Sequence, residues 1–377
     1  MWYIKKKNHL LCIVRKNQTP LYIYDKQTLI NEINKYIKTF LGYNVKFYYA
    51  FKANSNTNIC KVIKQHRFGA DVVSGGELDL ALKLGFKNIV FSGVGKSRQE
   101  LEKAIINKID FINIESFEEF EEISKVSKRL KIKTNISVRV NPNVEAGGHN
   151  YIKTAKKYSK FGVDFNTAFE IYKKASCEKY LNIKAIHFHL GSQIFSEKPY
   201  KIALEKVILF LENLKKHKIE INTIDIGGGW GVKEGEESKN HIKLLNVIKP
   251  YIKEYNFILE PGRSIVSSCG ILLTRVLYRK KVDDRYIVIV DAGMNNLIRP
   301  ALYNAFHPII NFCERKGNKI NIDIAGPICE TSDFFIRDYK MVLPQQNDIL
   351  VISSCGAYAF SMASNYNLRG FAGEIFI

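Results

Sequence analysis

The sequence predicts an α/β fold, namely a (β/α)8 TIM-like barrel joined to a C-terminal β-rich domain. Eight short apolar or β-branched segments recur along the first 265 residues. Amphipathic stretches with apolar residues at i, i+3 and i+4 separate most of them. Beyond residue 265 the long amphipathic stretches stop, while strand-like segments continue. The eight predicted strands cover residues 45–52, 69–74, 88–93, 110–116, 135–142, 183–191, 223–229 and 256–262.

These strands favour a parallel sheet, because they are apolar and alternate little, as strands covered by helices do. Eight strands, each followed by a helical or loop segment, are the number that a closed (β/α)8 barrel requires, and we therefore predict that fold. Periodicity alone also allows an open, doubly wound sheet. The clearest helices are predicted at residues 97–108, 117–130, 198–218 and 241–255.

The second domain is predicted from strands that no long helix separates, at residues 285–291, 320–324 and 348–353. The segments 10–14 and 21–24 at the start of the chain are expected to join it. The predicted boundaries are therefore 26–265 for a cofactor-binding barrel, and 1–25 with 266–377 for a β-sandwich or barrel-like domain.

The charge is the unusual feature of the composition. The 377 residues include 57 lysines and arginines against 37 aspartates and glutamates, a formal net charge of +20. A basic excess can indicate a nucleic-acid partner. However, only 13 of the 57 are arginines, whose planar forks suit phosphates and bases. The lysines are dispersed, and dense stretches such as 153–160 are typical of solvated surfaces, so no nucleic-acid partner is expected.

The cysteines indicate the compartment. Seven scattered cysteines without a C-x-x-C pair favour reduced thiols in a cytoplasmic setting over a disulfide framework or a zinc site. The N-terminus lacks the apolar segment of a secretory signal. No apolar run reaches the roughly 18 residues of a membrane span. We therefore expect a cytoplasmic protein without a membrane partner.

Polar or glycine residues follow all eight predicted barrel strands, at the end where barrels place their active sites. Lys52 ends one such strand, after the apolar run Phe47–Phe51. Burial disfavours the ammonium form and so prepares an amine to act as a nucleophile; the alternative is a lysine emerging into solvent. The other signatures are residues 74–77, 92–93, 115–116, 139–141, 189–193, 227–229 and 260–263.

Three glycines, Gly227, Gly228 and Gly229, allow the backbone to approach an anion such as a phosphate, and Ser192 could add a hydroxyl. A tight strand–helix turn would use the same glycines. His187 and His189 lie two apart and so share one face of a strand. No third ligand has matching spacing, so stacking on a flat ring is favoured over a metal site.

Two further turns combine reactive groups. Glu260 could pair with a protonated ring nitrogen and Arg263 with a carboxylate or phosphate, unless the turn holds only a structural salt bridge. Cys329 lies beside a carboxylate in a Gly-Pro turn and could donate a proton; the alternative is a small buried hydrophobe.

Together these motifs resemble the fold-type III pyridoxal-phosphate decarboxylases, which have an alanine racemase-like fold, and among them the diaminopimelate decarboxylases. The resemblance runs from about residue 20 to about residue 367. The motifs are YAFKAN (49–54), GADVVSGGEL (69–78), HLGSQ (189–193), EPGRS (260–264), DAGMNNLIRPALY (291–303), GPICE (326–330) and GAYAFSMASNYN (356–367).

The resemblance implies roles for these residues. Lys52 would hold pyridoxal 5'-phosphate as a Schiff base, His189 would stack on its ring, and Glu260 would keep its ring nitrogen protonated. Loss of carbon dioxide would leave a quinonoid carbanion, which Cys329 of the partner subunit would position or protonate. The protein would then be a homodimer with shared active sites. The other implied cofactor-binding residues are Ser192, Gly227, Gly228, Gly229, Pro261, Gly262, Arg263 and Tyr358. The implied substrate-binding residues are Arg263, Arg299, Tyr303, Glu330 and Tyr358.

The implied activity is decarboxylation of meso-2,6-diaminopimelate to L-lysine, the last step of lysine biosynthesis, with no metal. Arg299 and Tyr303 favour this substrate over those of the carboxynorspermidine, ornithine and arginine decarboxylases. Cys329 speaks against a racemase, and Lys52 against an inactive regulatory relative. Two departures from the family pattern are Thr154-Ala155, in place of Thr-Gly, and the atypical tail 368–377, which leaves the last strand in doubt.

Overall fold

The computed structural model describes residues 1–145, 159–233, 239–313 and 315–377. The Thr154-Ala155 departure and most of the basic stretch 153–160 lie outside these residues. The chain divides into two compact units. One comprises Met1–Glu32 and Ile265–Ile377; the other comprises Ile33–Lys233 and continues to Ser264.

In chain order the described strands are β1 (Leu21–Tyr24), β2 (Val45–Ala50), β3 (Gly69–Val72), β4 (Ile89–Phe91), β5 (Phe111–Ile114), β6 (Thr134–Arg139), β7 (Leu181–His187), β8 (Thr223–Asp225), β9 (Asn256–Leu259), β10 (Gly270–Val282), β11 (Arg285–Val290), β12 (Ile309–Asn311), β13 (Lys319–Ala325), β14 (Phe334–Val342), β15 (Ile349–Ile352) and β16 (Gly373–Phe376). The described helices are α1 (Trp2–Lys5), α2 (Lys7–Lys16), α3 (Lys26–Thr39), α4 (Thr57–Gln65), α5 (Gly75–Lys83), α6 (Arg98–Ile106), α7 (Phe117–Leu130), α8 (Phe165–Ser176), α9 (Lys198–Lys216), α10 (Asn240–Ile248), α11 (Arg263–Val266) and α12 (Arg299–Tyr303).

Strands β2 to β9 form a closed barrel in sequence order. Every neighbouring pair is parallel, including the closing pair β2 and β9. The predicted (β/α)8 barrel is confirmed and the open, doubly wound sheet is wrong. The pattern could not decide closure, because both folds bury apolar parallel strands under helices.

An apolar layer fills the barrel interior. Side chains from five different strands meet there and are buried: Tyr48, Val90, Phe111, Ala185 and Ile258. Since alternate residues of a strand face the same side, the residue two positions further along each of these strands also points inward. On most of these strands that next inward-pointing residue is polar and buried.

Serine and aspartate caps begin several barrel helices. Ser74 accepts from the N–H of Glu77 at the start of α5, and Ser116 accepts from the N–H of Glu119 at the start of α7. Ser97 forms a complete capping box with Glu100 before α6. Two of the polar strand-end signatures, at 74–77 and 115–116, therefore include residues that cap helices.

The other unit is built on a mixed sheet in the order β12-β15-β10-β11-β13-β14, with β1 paired to both β10 and β16. Parallel pairing of β1 with β16 places Glu374 opposite Tyr22. The atypical tail thus forms a strand, and the doubt raised by its sequence is resolved. Residues 10–14 contribute to helix α2 rather than a strand, with Leu10 and Val14 buried one turn apart.

All seven cysteines have free thiols. No helix among the described residues is both long and apolar enough to cross a membrane.

Candidate active site

A buried polar layer lies two residues beyond the apolar layer, toward the carboxyl ends of the barrel strands. Val90 is followed by Ser92, and Ala185 by His187, on the same face of the chain. Neighbouring strands contribute two aspartates at the same level. The layer comprises Asp71, Ser92, Asn113, His187, Asp225 and Glu260, each 3% exposed or less. Barrels place their active sites at the carboxyl ends of the strands, so the layer lies at the end expected to be functional.

Lys52 stands over this layer. It lies in the 3-10 turn Phe51–Ala53 directly after β2, and its Nζ is 2.9 Å from Oδ2 of Asp71. The lysine side chain is 32% exposed, whereas the aspartate is fully buried. Asp71 therefore holds the amine at the mouth of the barrel. Sequence reasoning missed this aspartate, although an acidic residue in a four-residue buried strand is itself a signal.

Glu260 forms a compact cluster with His187 and Asp225. Nε2 of His187 lies 3.6 Å from Oε2 of Glu260, and both side chains are 1% exposed. One polar atom from each of the three residues falls within 4.8 Å of the others. The fold thus supplies two carboxylates beside His187, which spacing along the chain did not reveal.

The two carboxyl groups of this cluster have opposite pKa shifts. Burial, reinforced by the charge of Glu260, raises the pKa of Asp225 well above its usual value. Burial alone would also raise the pKa of Glu260, but His187 and Lys52 lower it below its usual range. The opposite shifts favour a proton on Asp225 and the ionised form of Glu260.

His189 is a neutral ring. Its Nδ1 accepts a hydrogen bond from the N–H of Gly228 at 3.1 Å, which leaves Nε2 as the protonated nitrogen. Enclosure by protein lowers the pKa of His189 well below its usual value, and the charges of Lys52 and Arg139 add to the effect. The imidazole offers a flat, uncharged face near Lys52.

The three glycines are required by close packing. A Cβ on Gly228 would lie 2.2 Å from the carbonyl oxygen of Glu260, and Gly227 and Gly229 have φ of +64° and +101°. Gly227 donates its N–H to Oδ1 of Asp225, while Gly228 donates to His189. The N–H groups of these two glycines thus have protein partners, and the tight-turn interpretation accounts for much of this motif.

The turn after β9 supplies a cationic group. Arg263 begins α11, and its Nη2 donates to Oγ of Ser192 at 3.2 Å. Pro261 accepts the N–H of Ala50 through its carbonyl oxygen, and Gly262 lies so close to Ala50 and Ala53 that a side chain would crowd them. The guanidinium and hydroxyl form a pair of the kind that binds phosphate or carboxylate.

A second buried ion pair lies on the neighbouring strands. Nη1 of Arg139 is 2.7 Å from Oε1 of Glu115, and Oε2 of Glu115 accepts the N–H of Gly162. Burial would raise the pKa of Glu115, but Arg139 lowers it below its usual value. This pair satisfies its own charges and positions the loop after β6.

The remaining predicted residues lie in the unit that carries the mixed sheet. Arg299 and Tyr303 are the first and last residues of the short helix α12. The guanidinium is buried and its Nη1 is 2.9 Å from Nε2 of His307. Sequence reasoning did not single out His307.

Cys329, Glu330 and Tyr358 also lie in this unit. Cys329 and Glu330 are both exposed, and Cys329 donates its N–H to Oδ1 of Asn367. Cys329 is therefore not the buried hydrophobe considered as the alternative. Tyr358 has a φ of +54°. Residues other than glycine rarely adopt this strained backbone conformation, and those that do are often found at functional sites.

The barrel residues fit pyridoxal phosphate. Oε1 of Glu260 is buried and has no hydrogen-bond partner among the described residues, as suits an acceptor for a ring N–H. Lys52 provides an amine, His189 a neutral ring and Arg263 with Ser192 an anion-binding pair. These are the groups that such a cofactor requires.

The chain is similar to known proteins over most of its length. The family described as "Pyridoxal-dependent decarboxylase, pyridoxal binding domain" matches residues 26–267. The diaminopimelate decarboxylase of Aquifex aeolicus (strain VF5) is 41% identical over 365 residues, 95% of this chain and 86% of the relative. The crystal structure of diaminopimelate decarboxylase from Helicobacter pylori complexed with L-lysine has a TM-score of 0.91 at 40% identity, covering 97% of this chain and 93% of that one.

A more distant relative, an arginine decarboxylase, shares the fold at a much lower sequence identity. The arginine decarboxylase of Paramecium bursaria Chlorella virus has a TM-score of 0.88 at only 17% identity, covering 98% of this chain and 100% of that one. That likeness shows the fold alone. The relatives near 40% identity carry the assignment further, because they extend over almost the whole of both chains. The chain therefore belongs to the pyridoxal-dependent decarboxylases and, within them, to the diaminopimelate decarboxylases.

Proposed function

We propose that this protein removes one carboxylate of meso-2,6-diaminopimelate as carbon dioxide and releases L-lysine, the last step of lysine biosynthesis. The observation that carries the proposal is the buried Glu260, at the same end of the barrel as Lys52, whose Oε1 has no hydrogen-bond partner among the described residues. His187 and Lys52 lower the pKa of this carboxyl. Bound pyridoxal phosphate supplies an electron-withdrawing ring that accepts the electron pair left when carbon dioxide departs.

The barrel residues would hold and tune the cofactor. Lys52 would attach it covalently, with Asp71 fixing the amine before attachment. Glu260 would keep the ring nitrogen protonated, while His187 would help to keep Glu260 ionised. His189 would stack on the ring without adding a charge. Ser192 and Arg263 would bind the phosphate, together with Gly229, Pro261 and Gly262 around it. The family resemblance adds Tyr358 to the cofactor-binding residues.

Substrate choice would depend on the second amino-acid end of diaminopimelate. Its carboxylate and ammonium lie far from the reacting carbon, and Arg299 and Glu330 provide one group of each opposite charge. Tyr303 and Tyr358 would complete the pocket. An amine that lacks the distal carboxylate would lose its ion pair with the buried Arg299, which costs several kcal/mol.

Proton delivery would need a second subunit. In the proposed homodimer, the partner subunit's Cys329 would give its Sγ proton to the carbon that has lost carbon dioxide. The electron pair released when the C–C bond breaks would then form the new C–H bond with this proton, leaving Sγ as a thiolate. An exposed apolar side chain near Cys329 supports a subunit contact there. Leu368 is 87% exposed with a φ of +55°, and it follows Asn367, whose Oδ1 accepts the N–H of Cys329.

The seven free thiols support a cytoplasmic location.

The test is carbon dioxide release from meso-diaminopimelate, ornithine, arginine and lysine in parallel, with pyridoxal phosphate added. We expect turnover of diaminopimelate at a rate far above the other three. Release from ornithine or arginine without release from diaminopimelate would reject the proposed substrate while leaving the family assignment intact.

A further inference from the structure

His307 forms the back of the Arg299 site. It is 1% exposed and lies between two groups of the same unit. Its Nε2 is 2.9 Å from Nη1 of Arg299, and its Nδ1 is 2.9 Å from the carbonyl oxygen of Ser353. Ser353 follows strand β15, so the imidazole links helix α12 to the sheet.

The chemistry of the two neighbours fixes the state of this ring. A guanidinium only donates hydrogen bonds and a carbonyl oxygen only accepts them. Nε2 must therefore accept from Arg299 and Nδ1 must donate to Ser353. Both bonds can exist together only when His307 is neutral and carries its proton on Nδ1.

A neutral partner has a consequence for Arg299. Buried arginines are commonly paired with a carboxylate, which orients the fork but cancels its charge. An imidazole holds Nη1 in place by accepting its hydrogen bond and brings no negative charge of its own. An arginine oriented in this way is suited to receive an anion from a ligand.

We propose that His307 is a positioning residue that orients Arg299 toward the carboxylate at the non-reacting end of the substrate. The inference rests on the proposed function, since it takes the ligand of Arg299 to be that carboxylate. Cys355 lies against the same ring, with its Sγ 3.9 Å from Nδ1, and closes the site on that side.

The experiment compares His307→Leu, which removes the acceptor, with His307→Gln, whose amide oxygen can still accept from Arg299. Holoenzymes are titrated with L-lysine, which keeps the distal carboxylate, and with cadaverine, which has both amines and no carboxylate. We expect His307→Leu to bind L-lysine about ten- to a hundredfold more weakly, with cadaverine affinity unchanged. His307→Gln should recover most of the loss.

Steady-state kinetics should show a loss of substrate binding without a comparable loss of turnover. In His307→Leu the KM for diaminopimelate should rise by a factor similar to the loss of lysine affinity, with a smaller change in kcat. Equal melting temperatures and cofactor absorption would exclude a general folding defect. Unchanged lysine affinity and KM in His307→Leu, or an equal loss of cadaverine binding, would overturn the proposal.

A measurement without substrate separates this inference from the proposed function. Nitrogen-15 spectra of histidine-labelled wild-type protein, assigned with His307→Leu, should show His307 protonated at Nδ1 and not at Nε2. The opposite tautomer would reject the inference even in an active enzyme. A wild-type protein that neither binds lysine nor releases carbon dioxide would instead reject the proposed function.

Discussion

Glu260 depends for its charge on its neighbours in the buried layer of the barrel. Around it lie Asp225 and two histidines, of which His187 approaches within 3.6 Å. Placing several titratable groups together in a buried layer forces their pKa values apart. The ionised member of the layer is thus selected by its neighbours, rather than by exposure to solvent.

Replacing this carboxylate tests its role. Glu260→Gln keeps the shape of the side chain but removes the negative charge, so the ring nitrogen of the cofactor would no longer be held protonated. We expect kcat to fall about a hundredfold or more, with cofactor still bound. The control is Glu178→Gln, an exposed residue. Wild-type kcat in Glu260→Gln would contradict the assignment of the ring-nitrogen partner.

Glu77 should make stability depend on pH. Burial raises the pKa of Glu77 from 4.5 to about 7, so the folded state binds this proton more tightly than the unfolded chain does. The resulting stabilisation is complete below pH 4.5 and is lost as the pH rises through about 7. Its size is no more than about 3 kcal/mol, and less in practice because the side chain is partly exposed.

The measurement is the free energy of unfolding of wild type and Glu77→Gln across that range. Glutamine cannot ionise but can still accept the N–H of Val73 that Glu77 accepts. Wild type should therefore lose stability relative to Glu77→Gln as the pH rises, with the difference levelling off above about pH 8. A difference that is constant with pH would show that the pKa of Glu77 is not raised.

The sequence showed Lys52, His189, Glu260 and Arg263 because each interrupts an apolar pattern or follows a strand. It did not show Asp71 or Asp225 as site residues, since both lie inside strands and their function depends on side chains from other strands. His307 was missed for a related reason. Its role arises from Arg299 and Ser353, and the latter is 46 residues away along the chain.

At the level of elements, strand patterns were informative and short apolar runs were not. The barrel strands could be identified, although β4 and β8 span only three residues each, because amphipathic stretches with helical periodicity separate most of them. Residues 10–14 form an apolar run that fits a strand or a helix equally well, and only the burial of Leu10 and Val14 against the sheet distinguishes the two. The pairing of β16 with β1 depends on residues at opposite ends of the chain, which no local pattern contains.

The triple-glycine turn makes a prediction at this scale. Gly228→Ala would place a Cβ 2.2 Å from the carbonyl oxygen of Glu260, so the ends of β8 and β9 must separate. We expect a loss of about 1–3 kcal/mol in stability and weaker cofactor binding. The matched control is Gly95→Ala, where a Cβ would meet nothing within 4 Å. Equal stability of the two variants would mean that the turn is not tightly packed.

For the whole molecule, the net charge of +20 is not explained by the proposed roles of Lys52, Arg263 and Arg299, which are three of the 57 basic residues. The excess contributes at most a general attraction for an acidic substrate. Assembly has a more specific consequence, because the proposed reaction needs residues from two subunits.

Mixed dimers test that consequence. Lys52→Ala and Cys329→Ala should each be nearly inactive alone. After the two are unfolded and refolded together, half of the dimers are mixed and half of their sites are intact, so about a quarter of wild-type activity should return. No recovery, with mixed dimers demonstrated by a tag on one chain, would contradict a shared active site.

The central claim is that one lysine of this chain carries the cofactor at the mouth of the barrel. Borohydride reduction of the holoenzyme fixes the cofactor to the lysine that holds it, and peptide mass spectrometry then identifies that residue. Among the 44 lysines, we predict stoichiometric labelling of Lys52 and its disappearance when excess diaminopimelate is present as a competing amine. Labelling at another lysine, or none, would contradict the account.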